Sequence, residues 1–191
     1  MINTPNLKVI AIACTGAFAS CASPSPKTAR IPVSTTSSKQ DPSLTGQLLQ
    51  EVNSYRRNHG ARELQRHAGL DRLAQKHCEF LRQNRGKFGI RGQANVSHMG
   101  FDGRALMARQ NYNMLTCAEN VASTSDTSHG IAPTLVKIWT NSKSHQKNMV
   151  DDWTHTGIGI VKDSDGTVFS TQLFGTISYS QMTSRNRFNG Y

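Results

Sequence analysis

The sequence predicts an α+β domain in which helices pack on a small antiparallel sheet. Apolar residues recur at helical spacing in the first half of the chain, and the far end changes to the period-two alternation of strands. Two alternating runs, residues 156–162 and 167–174, flank an Asp-Ser-Asp-Gly turn and predict a hairpin. Helices followed by a terminal hairpin are typical of the α+β class.

Two long helices open the predicted domain. Asp41 and Pro42 suit the start of the first, as a capping carboxylate and a first-turn proline, and His59-Gly60 suits its end. The second is expected over about residues 70–85, where one stripe follows helical spacing. The members of this stripe are Leu70, Leu73, Ala74, His77, Cys78 and Leu81.

Shorter elements are expected between these helices and the hairpin. Asp102 suits the cap of a short helix over residues 104–109, and Pro133 suits the opening of another. Residues 115–122 are either a third strand or a buried loop.

The N-terminal segment, residues 1–21, has the three-part pattern of a secretory signal peptide. Lys8 supplies positive charge, and a short apolar stretch and small residues follow. The segment ends in Phe-Ala-Ser-Cys, which resembles a bacterial lipobox, so Cys21 is the candidate lipidation site and simple secretion is the alternative. No Asp follows Cys21, which favours the outer membrane in a Gram-negative host. We therefore expect an exported protein held at the membrane by a lipid anchor.

The rest of the chain divides into a tether, a domain and a tail. Residues 22–43 are rich in Pro, Ser and Thr and are expected to form an extended tether. The folded domain is expected over residues 44–180, and residues 181–191 form a basic polar tail. Cys78 and Cys117 remain outside the signal region, where an oxidising compartment would favour a disulfide between them. Two buried free thiols are the alternative.

An ordered set of segments resembles a known family. The segments are SHMGFDG at 97–103, AENVA at 118–122, WTNSKSHQKNM at 139–149, THTGIGI at 154–160 and TQLFG at 171–175. Together they resemble the bacterial branch of the CAP superfamily, also called the SCP domain, over roughly residues 44–177. The resemblance implies a three-layer α-β-α sandwich, with a small central antiparallel sheet and a cavity lined by two histidines and two acidic residues.

The resemblance also implies which residues line that cavity. His98 and His145 match the two histidines, and Glu119 matches the first acid. The second acid of animal and fungal members lies three residues after the tryptophan, and here that position is Ser142. We expect these four residues to line the cavity. Glu119 and His145 are the candidate catalytic groups, and His98 and His145 are the candidate metal ligands.

Three functions are compatible with such a cavity. The first is an envelope protein that binds a small or lipidic ligand, with no required cofactor and a divalent metal such as zinc as one option. The second is a metal-dependent hydrolase of envelope peptides or polymers, in which a metal-bound water attacks, or Glu119 and a histidine act as acid and base. The third is a basic adhesion module whose buried polar groups only stabilise the fold. We favour binding over catalysis.

The other histidines have simpler interpretations. His77 lies on the apolar stripe beside Cys78, and adjacent helical residues do not face each other, so we expect a packed histidine and no Cys–His nucleophile pair. His155 precedes a strand and is an alternative metal partner for His145. The histidines expected to face solvent are His59, His67 and His129.

The net charge of +10 first suggests nucleic-acid binding. The basic residues are scattered, however, and are not interleaved with the aromatic residues that single-strand binders use. Export also separates the protein from cellular nucleic acid. We therefore expect a monomer with no nucleic-acid partner, whose charge favours anionic lipid headgroups or acidic envelope polymers.

Overall fold

The computed structural model describes residues 43–177. The predicted signal peptide with Cys21, nearly all of the tether and the C-terminal tail lie outside the described residues. Within 43–177 the chain forms five α-helices and four strands, with a 3₁₀ turn at Ile90–Gly92. The helices are α1 (Leu44–Asn58), α2 (Ala68–Gln83), α3 (Phe101–Tyr112), α4 (Ile131–Thr140) and α5 (Lys143–Val150). The strands are β1 (Gln65–Arg66), β2 (Thr116–Thr124), β3 (His155–Lys162) and β4 (Val168–Thr176). None of the helices in this range has the length and apolar character needed to cross a membrane.

The two long helices form as predicted, but their first residues differ. Ser43 caps α1, because its side-chain oxygen accepts a hydrogen bond from the Gly46 amide at 3.1 Å. The expected cap Asp41 and Pro42 lie outside the described residues. The helix ends at His59, as expected. Helix α2 begins earlier than expected because the His67 side chain caps it, accepting from two backbone amides. All six residues of the predicted stripe are buried.

The shorter elements differ more from the prediction. Helix α3 is twice as long as expected and starts after Gly100, whose backbone is left-handed (φ 77°), rather than at an Asp102 cap. Residues 115–122 belong largely to strand β2, so the strand alternative is confirmed. Helix α4 begins two residues before Pro133. Helix α5 and strand β1 had no predicted counterpart.

The sheet has the strand order β1-β3-β4-β2. Strands β3 and β4 form the predicted antiparallel hairpin, and β2 pairs antiparallel with β4. The two-residue β1 pairs parallel with β3, so the sheet is mixed rather than purely antiparallel. Strand β2 therefore forms one edge of the sheet, and its side chains can be reached from both layers of helices.

Helices cover both faces of this sheet. One face packs with α1, α4 and α5 in a cluster that comprises Leu48, Val52, Leu64, Ala118, Ala122, Ala132, Leu135, Trp139, Met149, Ile158 and Phe174. The other face packs with α2 and α3, in clusters that include Leu70, Leu73, Ala74, Cys78, Leu81, Phe101, Ala108, Val121, Phe169 and Leu173. This is the expected three-layer α-β-α sandwich.

Two glycines of β3 let α2 lie directly against the sheet. A Cβ atom on Gly157 would come within 2.2 Å of the Leu70 carbonyl carbon, and one on Gly159 within 2.4 Å of the Ala74 carbonyl carbon. Only glycine allows this separation between helix and strand. The close approach fixes the position of α2 and therefore of His77, which lies on its buried stripe.

Candidate functional site

Polar side chains gather at the edge strand β2. Glu119 extends from β2, His98 lies in the loop before α3, and His145 lies on α5. The His98 Nδ1 atom is 3.0 Å from Glu119 Oε1, and the centroids of the His98 and His145 rings are 6.5 Å apart. The fold thus brings together three of the four residues that the sequence analysis selected.

Glu119 keeps a buried carboxylate that several donors surround. Arg104 of α3 donates from Nε to Oε2 at 2.7 Å and from Nη2 to Oε1 at 2.8 Å. His98 donates to Oε1, and His77 Nδ1 lies 3.6 Å from Oε2. Burial alone would raise the pKa of the Glu119 carboxyl, but the hydrogen bonds from His98 and Arg104 lower it below its usual value. The group is therefore held ionised.

Arg104 is the residue of this site that the sequence analysis missed. Its third nitrogen, Nη1, donates to the Met99 carbonyl at 2.9 Å, so one guanidinium joins the loop before α3 to the edge strand. Its side chain is 12 % exposed, which is unusual for an arginine. Nothing local in the sequence separates Arg104 from the other arginines, because its partner Glu119 comes from a different element.

His145 has a buried ring whose hydrogen-bonding capacity is unused. The residue is 1 % exposed, and neither ring nitrogen has a hydrogen-bond partner among the described residues. Burial, followed by the neighbouring His98, lowers the pKa of His145 to about 4, so the ring is neutral at physiological pH. The backbone of α5 is held to β2 separately, since Asn120 donates to the His145 carbonyl at 3.2 Å.

His77 is a packed, hydrogen-bonded histidine, as expected, and it lies behind Glu119. Its Nδ1 lies 3.0 Å from the Thr171 hydroxyl, and burial lowers the pKa of the ring to about 4. Burial also raises the pKa of the adjacent Cys78 thiol to about 12, so this cysteine is not a nucleophile at neutral pH.

Comparison with known proteins shows which family this domain belongs to. Residues 49–174 match the family model of CAP, the Cysteine-rich secretory protein family. The chain belongs to the CAP family. A search of curated proteins finds no significant match.

Two solved structures resemble this CAP domain. An outer surface protein from Borrelia burgdorferi is 20 % identical with a TM-score of 0.55, and the match covers 69 % of this chain and 90 % of that one. A cysteine-rich secretory protein from Staphylococcus aureus is 17 % identical with a TM-score of 0.53, covering 72 % of this chain. The match spans 39 % of the staphylococcal protein. At these identities the likeness shows the shared fold.

Ser142 and His155 do not join the cluster around Glu119. The Ser142 hydroxyl shares a 3.1 Å hydrogen bond with Ser144 at the start of α5, which is a local contact. His155 lies at the start of β3, which β4 separates from β2, or about 10 Å across two strand spacings. Its ring meets that of His67 edge-on at a centroid distance of 5.8 Å.

His67 is buried, so the expectation that it faces solvent is wrong. It is 3 % exposed, because it caps α2 and packs beside His155. His59 and His129 are exposed, as expected.

The two cysteines of the CAP domain are free thiols, so the expected disulfide is not present. Cys78 is hydrogen-bonded to Thr171, whereas Cys117 pairs across the sheet with Gly175. Thr171 and Gly175 are four residues apart on β4, which is about 13 Å along the strand. A disulfide needs Cα atoms closer than about 7 Å, which leaves the free-thiol alternative.

The donor set does not fit a zinc centre. Zinc sites in proteins use at least three protein ligands, whereas both oxygens of Glu119 are held by Arg104 and His98. No group of three or more His, Cys, Asp or Glu side chains within residues 43–177 is arranged to hold a metal ion. The predicted pair of His98 and His145 would supply only two ligands, beside a guanidinium that already neutralises the carboxylate.

Proposed function

We propose that this protein is an exported CAP-domain protein that binds a small ligand between His98 and His145. The supporting observation is the buried His145 ring with two unpartnered nitrogens. A buried polar atom without a partner destabilises a fold by about 1–3 kcal/mol. Groups of a ligand that bond to this ring would remove that cost on binding.

Binding is favoured over hydrolysis by the state of Glu119. A general base needs a free acceptor whose pKa lies near the working pH. Both oxygens of Glu119 accept from Arg104, one of them also accepts from His98, and the pKa of the carboxyl is lowered. Such a carboxylate is a weak base, because three hydrogen bonds stabilise its ionised form, and this supports a site that holds a molecule without transforming it.

Native mass spectrometry of the full exported protein tests the binding proposal. We expect a bound molecule on the wild-type protein and none on His145→Phe, whose ring has similar size and no polar atoms. His155→Phe is the matched control, because it removes a buried histidine from β3, two strands away from β2, and it should retain the ligand. An identical bound mass on all three proteins, or none on any, would contradict the proposal.

We further propose that the protein works at the cell envelope, anchored through Cys21. The signal-peptide pattern of residues 1–21 supports export, and the net charge of +10 favours an anionic surface. One protein of similar fold is described as an outer surface protein. Cys21→Ala should move the protein from the membrane fraction to the soluble one, and persistence of the variant in the membrane fraction would refute the anchor.

A further inference from the structure

We propose that the group bound at His145 is uncharged and both donates and accepts hydrogen bonds, as a hydroxyl or a primary amide does, and that Arg104 excludes ions from the site. This inference rests on the proposed ligand-binding function and specifies the chemical class of the ligand. It follows from the hydrogen-bonding capacity of each polar group around the cluster.

The His145 ring is best matched by a group that can both donate and accept hydrogen bonds. A neutral imidazole carries one N–H donor and one acceptor nitrogen, and both are buried and unpartnered here. The two nitrogens point in nearly opposite directions, so one ligand group meets only one of them, and the tautomer decides whether that nitrogen donates or accepts. A carboxylate or phosphate ester can only accept and an ammonium group can only donate, so each pairs with the ring in one tautomer alone. Hydroxyl and primary amide groups can pair with either nitrogen.

His98 adds an acceptor on the same side. Its Nδ1 donates to the ionised Glu119, so in the neutral ring the proton is on Nδ1 and Nε2 is the acceptor. The 6.5 Å between the centroids of the His98 and His145 rings is short enough for one polar group to reach both. The site therefore offers more acceptors than donors, which favours a ligand with O–H or N–H groups.

The charges of Arg104 and Glu119, which lie beside the two histidines, already compensate each other. Arg104 uses Nε and Nη2 on Glu119 and Nη1 on the Met99 carbonyl, and Glu119 in turn receives Arg104 and His98. An anion would meet a guanidinium whose charge is already compensated by Glu119, and a cation would meet a carboxylate whose charge is already compensated by Arg104. Arg104 thus occupies the position of a counter-ion to Glu119 and leaves the site electrically balanced.

Nuclear magnetic resonance of the histidine rings in the full exported protein, without a histidine tag, tests this inference. The probes are acetamide, its isosteric anion acetate, and Zn²⁺, and the His145→Phe spectrum assigns the His145 signals. We expect acetamide to shift the His145 and His98 ring signals saturably, with affinity at least about tenfold higher than that of acetate or Zn²⁺. The acetamide-induced His98 shift should disappear in His145→Phe.

The possible results separate the two proposals. If acetate or Zn²⁺ shifts both rings as strongly as acetamide, the site binds ligands and the inference about charge is wrong. If no probe shifts His145, both the inference and the proposed function fail.

Arg104→Gln gives a second test of the role of the guanidinium. It keeps one amide donor for Glu119 and removes the positive charge, so Zn²⁺ should bind the variant at least about tenfold more tightly than the wild type. An unchanged Zn²⁺ affinity in the folded variant would show that Arg104 does not exclude cations. The wild-type titrations remain decisive if this variant does not fold.

Discussion

At the scale of single residues, the Glu119 carboxylate keeps its charge inside the domain because two neighbours donate to it. Its side chain is 1 % exposed, and the bidentate Arg104 provides the geometry in which a buried ion pair is strongest. A buried pair contributes little compared with an apolar pair, but breaking it by removing one partner leaves a buried charge uncompensated. Removing Arg104 alone should therefore cost more stability than removing both charges.

Arg104→Met should destabilise the domain by about 3–5 kcal/mol, because Glu119 then remains buried without its counter-charge. The double variant Arg104→Met/Glu119→Gln removes both charges and should recover most of that loss. Urea unfolding of the three proteins measures the difference. Equal losses in the single and double variants would show that the packing of Arg104, and not its charge, supports the site.

The buried histidines predict a loss of stability in mild acid. His77 and His145 have pKa values lowered to about 4, against about 6.5 in an unfolded chain. As the pH falls from about 6.5 to 4, the unfolded state takes up protons that the native state does not. Each histidine should therefore remove on the order of 3 kcal/mol from the free energy of unfolding across that window.

Glu119 affects the stability at lower pH than the histidines do. Because its pKa is lowered in the fold, its contribution is present above the unfolded carboxyl value near about 4.3 and is lost as the pH falls through the folded value. Urea unfolding at a series of pH values measures both effects, and His145→Phe should reduce the slope between pH 6.5 and 4. A stability that is flat from neutral pH to about 4 would disprove the assignment of neutral buried rings.

At the scale of elements, the close packing of α2 on β3 sets the position of the histidine behind Glu119. The helix carries His77 behind Glu119, and the two glycines of β3 set its distance from the sheet. The glycines act through the absence of a side chain, so their replacement tests the packing without changing any polar contact.

Gly157→Ala should destabilise the domain by about 2–3 kcal/mol, because the added Cβ would overlap the backbone of α2. Gly103→Ala is the matched control: it lies in helix α3 with nothing within 4 Å of an added Cβ. The control should stabilise the protein by about 0.5–1 kcal/mol through helix propensity. Thermal unfolding of both variants measures this contrast, and equal effects would contradict the close approach of α2 to β3.

The elements that sequence analysis found are those with a local signal. The stripe of α2 repeats over three turns, and the hairpin has its own turn, so both could be predicted. Helix α5 buries only His145 and Met149, too narrow a stripe to recognise, and β1 exists only through its pairing with β3. The start of α2 was misplaced because histidine is rarely an N-cap and the role of His67 depends on its orientation.

At the scale of the whole molecule, the candidate site could be predicted only in part. The family resemblance selected His98, Glu119 and His145, which the fold brings to one edge of the sheet. Arg104 could not be found this way, because it meets Glu119 only when α3 packs against β2. Ser142 was selected by its place in the family pattern, but its own hydroxyl is used within α5. Among the ligands that the sequence left open, Arg104 favours an uncharged group over a metal ion, which is the proposal made above.

The stability of His145→Phe tests most directly whether His145 serves a ligand and not the fold. Urea unfolding of the wild type and the variant without ligand measures the contribution of the ring nitrogens. If these nitrogens have no structural partner, the variant should be more stable than the wild type, by about 1–3 kcal/mol, while losing the bound ligand. A loss of about 2 kcal/mol or more, on the order of a broken buried hydrogen bond, would show that His145 is a structural residue.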